Sequence, residues 1–150
     1  MKIIQIVGLA NSGKTSFIKD LVPALSRKGK VAVIKHLGDH EYYLEEGKDT
    51  TGFFDAGAQI SVGIDAHKSV IAIREQTLED ILLLLSHQEI DFAVIEGFKQ
   101  LSFPKIVIGD LTVGKCILTN PTIDEVIDSL ALFEDFNKSV DYRSKDAWKK

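Results

Sequence analysis

One short motif restricts the fold of this chain more than any other feature of its 150 residues. Residues 8–15 read Gly-Leu-Ala-Asn-Ser-Gly-Lys-Thr, which matches the phosphate-loop pattern of a glycine, four arbitrary residues and then Gly-Lys-Thr. Such a loop points successive backbone N–H groups at phosphate oxygens, and glycine adopts the required backbone conformations at little cost. The motif therefore predicts a nucleoside-phosphate site.

The flanking sequence fits this interpretation. An apolar, β-rich run at residues 2–7 precedes the motif, and residues 16–26 have helical periodicity. A phosphate loop forms where a strand passes into a helix, and the helix N-terminus adds a partial positive charge. Lys14 is expected to contact the terminal phosphates and Thr15 to ligate Mg²⁺. The predicted nucleotide-binding residues of the loop are Gly8, Asn11, Ser12, Gly13, Lys14, Thr15 and Ser16.

Composition limits the class of protein. With 45% hydrophobic and 27% charged residues, the chain is expected to form a globular nucleotide-binding domain over residues 1–136, followed by a basic tail at 137–150. A net charge of −4 gives no general attraction to nucleic acid or to an anionic membrane, and neither is expected as a partner. Cys116 is the single cysteine and lies in an apolar run, which predicts a buried thiol and a cytoplasmic protein.

The order of strands and helices predicts the fold class. Apolar strands alternate with helical stretches, as in an α/β domain. Residues 59–64 and 69–74 read as a β-hairpin, and capping boxes begin at Thr77 and Thr122. Because a hairpin is antiparallel, a purely parallel sheet is not expected. The prediction is a phosphate-loop NTPase-like layered domain with a mixed, mostly parallel central sheet flanked by helices.

Three further polar stretches follow apolar strands: Lys35-His36, Glu96-Gly97 and Thr119-Asn120. In an α/β sheet the ligand lies at the carboxyl ends of the strands, so these stretches are expected beside the phosphate loop. Glu96 is predicted to be the second Mg²⁺ partner and, with Lys14, a catalytic residue. Asp91, which begins the same strand, would lie roughly 17 Å from Glu96 at ~3.3 Å per residue, which is too far to hold the same metal.

The other polar residues at this edge leave alternatives open. Lys35 and His36 could contact the nucleotide or a second anionic substrate. A metal site at residues 36–40 is an alternative that lacks the fixed ligand spacing of a zinc framework. The guanine signature Asn-Lys-x-Asp is absent, and Asn120 and Asp124 are the nearest substitutes for a base contact. A helix-capping role is an equal alternative for Asp124.

With these residues placed, the chain resembles the MobB family of molybdopterin-guanine dinucleotide biosynthesis proteins. The resemblance rests on the phosphate loop followed, in this order, by Ile34-Lys35-His36, Gly47-Lys48-Asp49-Thr50, Ala56-Gly57-Ala58 and Ile95-Glu96-Gly97-Phe98-Lys99. Lys48 and Asp49 thereby join the predicted nucleotide-binding residues.

The resemblance implies a GTP-binding homodimer that assists a guanylyltransferase, with Mg²⁺ as cofactor and molybdopterin as a candidate further ligand. Hydrolysis is expected to be weak, since no arginine is near the site by motif. The alternatives are a metal-insertion GTPase of related fold and a small-molecule kinase.

Overall fold

The computed structural model describes residues 1–38 and 40–136; the predicted tail at 137–150 and Asp39 lie outside the described residues. The strands are β1 (Lys2–Val7), β2 (Val31–Lys35), β3 (Ile60–Ile64), β4 (Ser69–Ile73), β5 (Phe92–Glu96), β6 (Lys105–Val107) and β7 (Cys116–Thr119). The α-helices are α1 (Lys14–Ser26), α2 (Asp49–Asp55), α3 (Leu78–His87) and α4 (Ile123–Asp128), followed by a 3-10 turn at Leu130–Leu132. None of the described helices is both long enough and apolar enough to cross a membrane.

Five of these strands form the central sheet, in the order β2-β5-β1-β6-β7. Every neighbouring pair in it is parallel. Strand β5 is buried at every position because it has a strand on either side and helices on both faces, which agrees with its continuous apolar sequence. The predicted α/β layered fold, with a mostly parallel sheet flanked by helices, is confirmed.

The hairpin differs from the prediction in its location. Strands β3 and β4 pair with each other, with Val62 opposite Ile71, but they form a separate two-stranded sheet. The inner face of this hairpin packs on α2, where Ser61 Oγ donates a hydrogen bond of 2.7 Å to the carbonyl oxygen of Thr50. The prediction that the hairpin would make the central sheet mixed is therefore wrong: its antiparallel pairing is local and is completed by α2.

Two apolar layers enclose the central sheet. Alternate residues of β1 point to opposite faces: Ile4 and Ile6 belong to the cluster that includes residues of α1 and α4, and Ile3 belongs to the cluster that includes residues of α3. Both predicted capping boxes are present, at Thr77 for α3 and at Thr122 for α4. The two layers cover both faces of the sheet, and because its strands are parallel, the carboxyl ends of all five lie along one edge.

The predicted burial of Cys116 is wrong, since the structure exposes it. Cys116 opens β7, an outermost strand of the sheet, and an outermost strand is covered from fewer sides than β5. An apolar run alone could not distinguish an edge strand from a central one.

Candidate functional site

The phosphate loop leaves β1 after Val7 and enters α1 at Lys14. Gly13 has a φ of 92°, a conformation that favours glycine. Gly8 is required for a different reason: a Cβ there would lie 2.3 Å from the carbonyl oxygen of Ile108 and 2.5 Å from Ser12 Oγ. The loop is thus held closely against the segment that follows β6, and the first and last glycines of the motif both have a structural cause.

The N-terminus of α1 differs from those of α3 and α4. Its N-cap, Gly13, makes no side-chain cap, and the first turn has no acidic residue. In α3 and α4 the capping threonine accepts a hydrogen bond from the backbone, and two acidic residues occupy the first turn of each. Because the first N–H groups of a helix have no intrahelical acceptor, the loop leaves donors and a partial positive charge available to an anion.

Lys14 lies across the loop. Its Nζ donates to the carbonyl oxygen of Leu9 at 2.6 Å and lies 3.4 Å from Ser12 Oγ. Both acceptors are neutral groups, so neither forms an ion pair with the ammonium. This arrangement agrees with the predicted role of Lys14, which stays a prediction.

Glu96, Thr15 and Lys35 form one polar cluster beside the loop. Thr15 Oγ1 lies 3.3 Å from each carboxylate oxygen of Glu96. Lys35 is directly beside Glu96 in the register of the parallel strands β2 and β5, and its Nζ is 3.4 Å from Glu96 Oε1. The Glu96 side chain is only 11% exposed. The structure therefore brings together three residues that the sequence places in different segments.

The Thr15–Glu96 pair fits Mg²⁺. A hydroxyl and a carboxylate are hard oxygen ligands, and Mg²⁺ usually takes one or two protein oxygens, keeps several waters and completes its shell with substrate phosphates. Within residues 1–38 and 40–136 there is no group of three or more His, Cys, Asp or Glu side chains that could hold a metal by itself.

His36 packs beside this cluster. Its ring stacks on that of Phe98, with centroids 4.1 Å apart and planes inclined by 23°. Gly97 has a φ of 98°, and a Cβ on it would lie 3.0 Å from His36 Cβ. The glycine after Glu96 thus permits the stack, which joins the ends of β2 and β5. A nucleotide or substrate contact by His36 stays a prediction.

Asn120 is at the same edge, with its amide group occupied. Asn120 Oδ1 accepts a hydrogen bond of 2.6 Å from the Gly109 N–H, and its Nδ2 is 3.4 Å from the Gly109 carbonyl oxygen. Gly109 in turn approaches the loop, because a Cβ on it would lie 3.0 Å from Ser12 Cβ. Asn120 therefore supports the segment behind the loop, and its predicted base contact stays a prediction.

Lys48 and Asp49 lie around α2. Lys48 pairs with Glu45 at 3.3 Å and lines a cavity of about 320 Å³ between residues 44–51 and the hairpin. Asp49 is the first residue of α2. The structure thus does not place these two residues in the Thr15–Glu96–Lys35 cluster, and their predicted nucleotide contacts stay predictions.

Two buried polar residues were missed by the sequence analysis. Lys105 is 2% exposed, and its Nζ donates to Gln5 Oε1 at 3.0 Å and to the carbonyl oxygen of Leu101. Gln5 Nε2 donates to the carbonyl oxygens of Gly97 and Phe98 at 2.8 and 2.6 Å. Together they fix the segment that follows Glu96. Polar residues inside otherwise apolar strands were the available signal.

The sheet order, the loop at the carboxyl end of β1 and the carboxylate at the end of the adjacent β5 define the class: this is a phosphate-loop NTPase-like α/β domain. The model of one family, MobB, described as molybdopterin guanine dinucleotide synthesis protein B, matches residues 3–129. The chain belongs to the MobB family.

Relatives and solved structures agree with this assignment. A relative from Haemophilus influenzae, named molybdopterin-guanine dinucleotide biosynthesis adapter protein, is 33% identical over 135 residues, covering 86% of this chain and 73% of the relative. Relatives from Methanocaldococcus jannaschii and Bacillus subtilis, which carry that name with a provisional qualifier, are 34% and 37% identical and align with 94% and 71% of this chain.

The chain spans 58% and 64% of the lengths of the Methanocaldococcus jannaschii and Bacillus subtilis relatives. The crystal structure of Bacillus subtilis MobB superposes with a TM-score of 0.69 at 25% identity, covering 91% of this chain and all of that one. A MobB homologue from Bacillus stearothermophilus, 21% identical, has the same fold at a TM-score of 0.60 over 87% of this chain and 94% of that one.

Proposed function

We propose that this chain binds GTP with Mg²⁺ at its phosphate loop and acts as an adapter for a guanylyltransferase that forms molybdopterin-guanine dinucleotide. The names of the relatives support the pathway, since they are called molybdopterin-guanine dinucleotide biosynthesis adapter proteins. Molybdopterin itself is a candidate further ligand, and the proposed working form is a homodimer.

One observation carries the nucleotide part of the proposal: Lys14 lies at the N-terminus of α1, which has no side-chain cap, and the Thr15–Glu96 pair lies beside it. The backbone donors and Lys14 suit the phosphates of a nucleotide, while Thr15 and Glu96 would hold a divalent cation that accompanies it. When bound, Mg²⁺ supplies charge neutralisation at the phosphate oxygens. Glu96 and Thr15 hold their oxygens in place for it.

Lys14→Ala is expected to weaken GTP binding at least tenfold. A hydrogen bond to a charged group contributes about 1.5–3 kcal/mol, and about 1.4 kcal/mol corresponds to a factor of ten in affinity. Isothermal titration with GTP, ATP and their diphosphates, with and without Mg²⁺, measures the effect and tests the base preference.

Lys19→Ala is the matched control, because Lys19 is an exposed lysine on the same helix, away from the loop. It should bind GTP like the wild type. Unchanged GTP affinity in Lys14→Ala, with the fold intact by circular dichroism, would disprove nucleotide binding at the loop.

Glu96→Gln tests the proposed metal contact. In this variant the gain in GTP affinity that Mg²⁺ provides should decrease, while the GTP affinity measured without Mg²⁺ should change less.

A further inference from the structure

Lys35 places a positive charge beside Glu96. The two residues are adjacent in the register of β2 and β5, and Lys35 Nζ lies 3.4 Å from Glu96 Oε1. Thr15 Oγ1 also faces this carboxylate, at 3.3 Å from each of its oxygens. Lys35 therefore contacts the carboxylate that is proposed to hold the cation.

The two members of the pair differ in exposure. The Glu96 side chain is 11% exposed and the Lys35 side chain 51% exposed. A largely buried carboxylate needs a nearby positive charge, because burial without one is costly. The lysine has a flexible stem and a compact, well-hydrated ammonium group, so it can leave the pair and remain solvated. The carboxylate is thus fixed and its partner is replaceable.

We propose that Lys35 is a tethered counter-ion of Glu96 that the divalent cation displaces when it enters with the nucleotide. This inference rests on the proposed function and deepens it by assigning a role to one residue of that site. A dication between Thr15 and Glu96 would be within a few ångströms of the Lys35 ammonium, and like charges at that distance repel. The displaced Lys35 ammonium then becomes available to the phosphates of the nucleotide.

Two thermodynamic consequences follow. Without nucleotide, the metal must compete with Lys35 for Glu96, so Lys35 weakens metal binding. With nucleotide, the displaced ammonium has phosphate oxygens as new partners, so the competition is relieved. Lys35 therefore couples the two ligands: each binds better when the other is present, and the coupling is reciprocal.

The test is Mn²⁺ binding to the full, nucleotide-free chain, followed by electron paramagnetic resonance of the free ion, with Mn²⁺ standing in for Mg²⁺. Lys35→Met should bind Mn²⁺ roughly two- to fivefold more tightly than the wild type, the range of a partly exposed ion pair. Lys30→Met is the matched control. Lys30 lies just before β2, at the opposite end from Lys35, and pairs with Glu89 at 3.6 Å, so its loss changes the net charge equally.

Equal Mn²⁺ binding by wild type and Lys35→Met, including none detectable in either, would overturn the proposal, as would the same gain in Lys30→Met. Repeating the titration with a saturating GTP analogue supplies a second measurement. The increase in Mn²⁺ affinity that the nucleotide gives the wild type should be smaller in Lys35→Met. If the wild type bound no GTP, the proposed function would fail, while the nucleotide-free comparison would still decide whether Lys35 competes with the metal.

Discussion

Lys105, the first residue of β6, is a buried cation whose side chain contacts β1 and the segment after β5. Desolvation lowers its pKa below the ordinary value of 10.5, and the positive charge of Lys115 lowers the pKa further. Lys105 Nζ donates to two oxygens, Gln5 Oε1 and the Leu101 carbonyl oxygen, and Gln5 Nε2 donates in turn to the carbonyl oxygens of Gly97 and Phe98. A buried polar network whose hydrogen bonds are satisfied fixes one conformation of the chain around it. Here it fixes the segment that follows Glu96.

The lowered pKa predicts a dependence of stability on pH. Between the folded-state pKa and 10.5, the unfolded chain binds more protons at Lys105 than the folded chain, so the free energy of unfolding gains a positive slope with pH. The cost of burying the charge is present in full below that window and is relieved as pH rises through it. Urea unfolding of wild type and Lys105→Met from neutral pH to about pH 10.5 measures the slope.

Lys105→Met should lack this contribution, so its stability relative to the wild type should decrease as pH rises through the window. Lys28→Met, at an exposed position just after α1, controls for the loss of one lysine. Parallel stability curves for wild type and Lys105→Met across the whole alkaline range would contradict the assigned burial of the charge.

At the scale of single elements, local signals predicted the structure well. The Thr77 and Thr122 boxes begin α3 and α4 as expected, because a cap is decided by residues three positions apart. The Thr122 N–H donates to Glu125 Oε2 at 2.7 Å, and this hydrogen bond holds the pKa of Glu125 below its ordinary value. The hairpin also formed where its two β-rich runs predicted it.

Relations between distant elements were less predictable. The Lys105–Gln5 pair joins residues 100 positions apart, and neither sequence neighbourhood contains a sign of the other. The strand order that makes Cys116 an edge residue depends on tertiary packing, as does the placement of the hairpin on α2. The Thr15–Glu96 approach could be predicted because the phosphate loop and the carboxyl-edge rule together specify it.

The outer face of the hairpin is an exposed apolar surface. It consists of Ile60, Val62 and Ile64 from β3 and Ile71 from β4, which are 54%, 46%, 78% and 51% exposed. Isolated two-stranded sheets are marginally stable, and exposed apolar faces of this kind are characteristic of interfaces. This face supports the proposal of a homodimer.

Ile64→Glu is expected to shift the chain from dimer to monomer, because a carboxylate would be buried at the contact without a partner. Sedimentation velocity over a concentration series measures the change. Leu84→Glu introduces the same charge at an exposed leucine of α3 and should leave the dimer intact. A wild type that stays monomeric at all concentrations, or equal dissociation of both variants, would contradict a dimer through the hairpin.

Across the whole molecule, the sheet gathers cations at one edge and leaves the described arginines elsewhere. Arg27 is the C-cap of α1, about 20 Å from the loop at ~1.5 Å per residue. Arg74 donates from Nε to the carbonyl oxygen of Ala58 at 3.2 Å and lies 4.1 Å above the ring of Phe54, within the α2–hairpin region. The third arginine, Arg143, lies outside the described residues. Among the described residues, Lys14 contacts the phosphate loop and Lys35 contacts Glu96, so these two lysines supply positive charge at the proposed site.

This distribution of charge predicts slow hydrolysis of GTP by the isolated chain, far below the median enzyme turnover of ~10 s⁻¹. Phosphoryl transfer is accelerated mainly by positive charge on the transition state, and an arginine finger alone contributes a factor of ~10³–10⁵. The missing charge would come from a second subunit or from the guanylyltransferase.

Turnover should therefore be measured for the chain alone across a concentration series, and then with the partner added. Lys14→Ala, assayed in parallel, reports any contaminating GTPase. A turnover per chain that increases with protein concentration indicates that the second subunit supplies the charge. A turnover per chain that increases only when the partner is added supports the adapter role. A fast, concentration-independent rate for the lone chain would refute it.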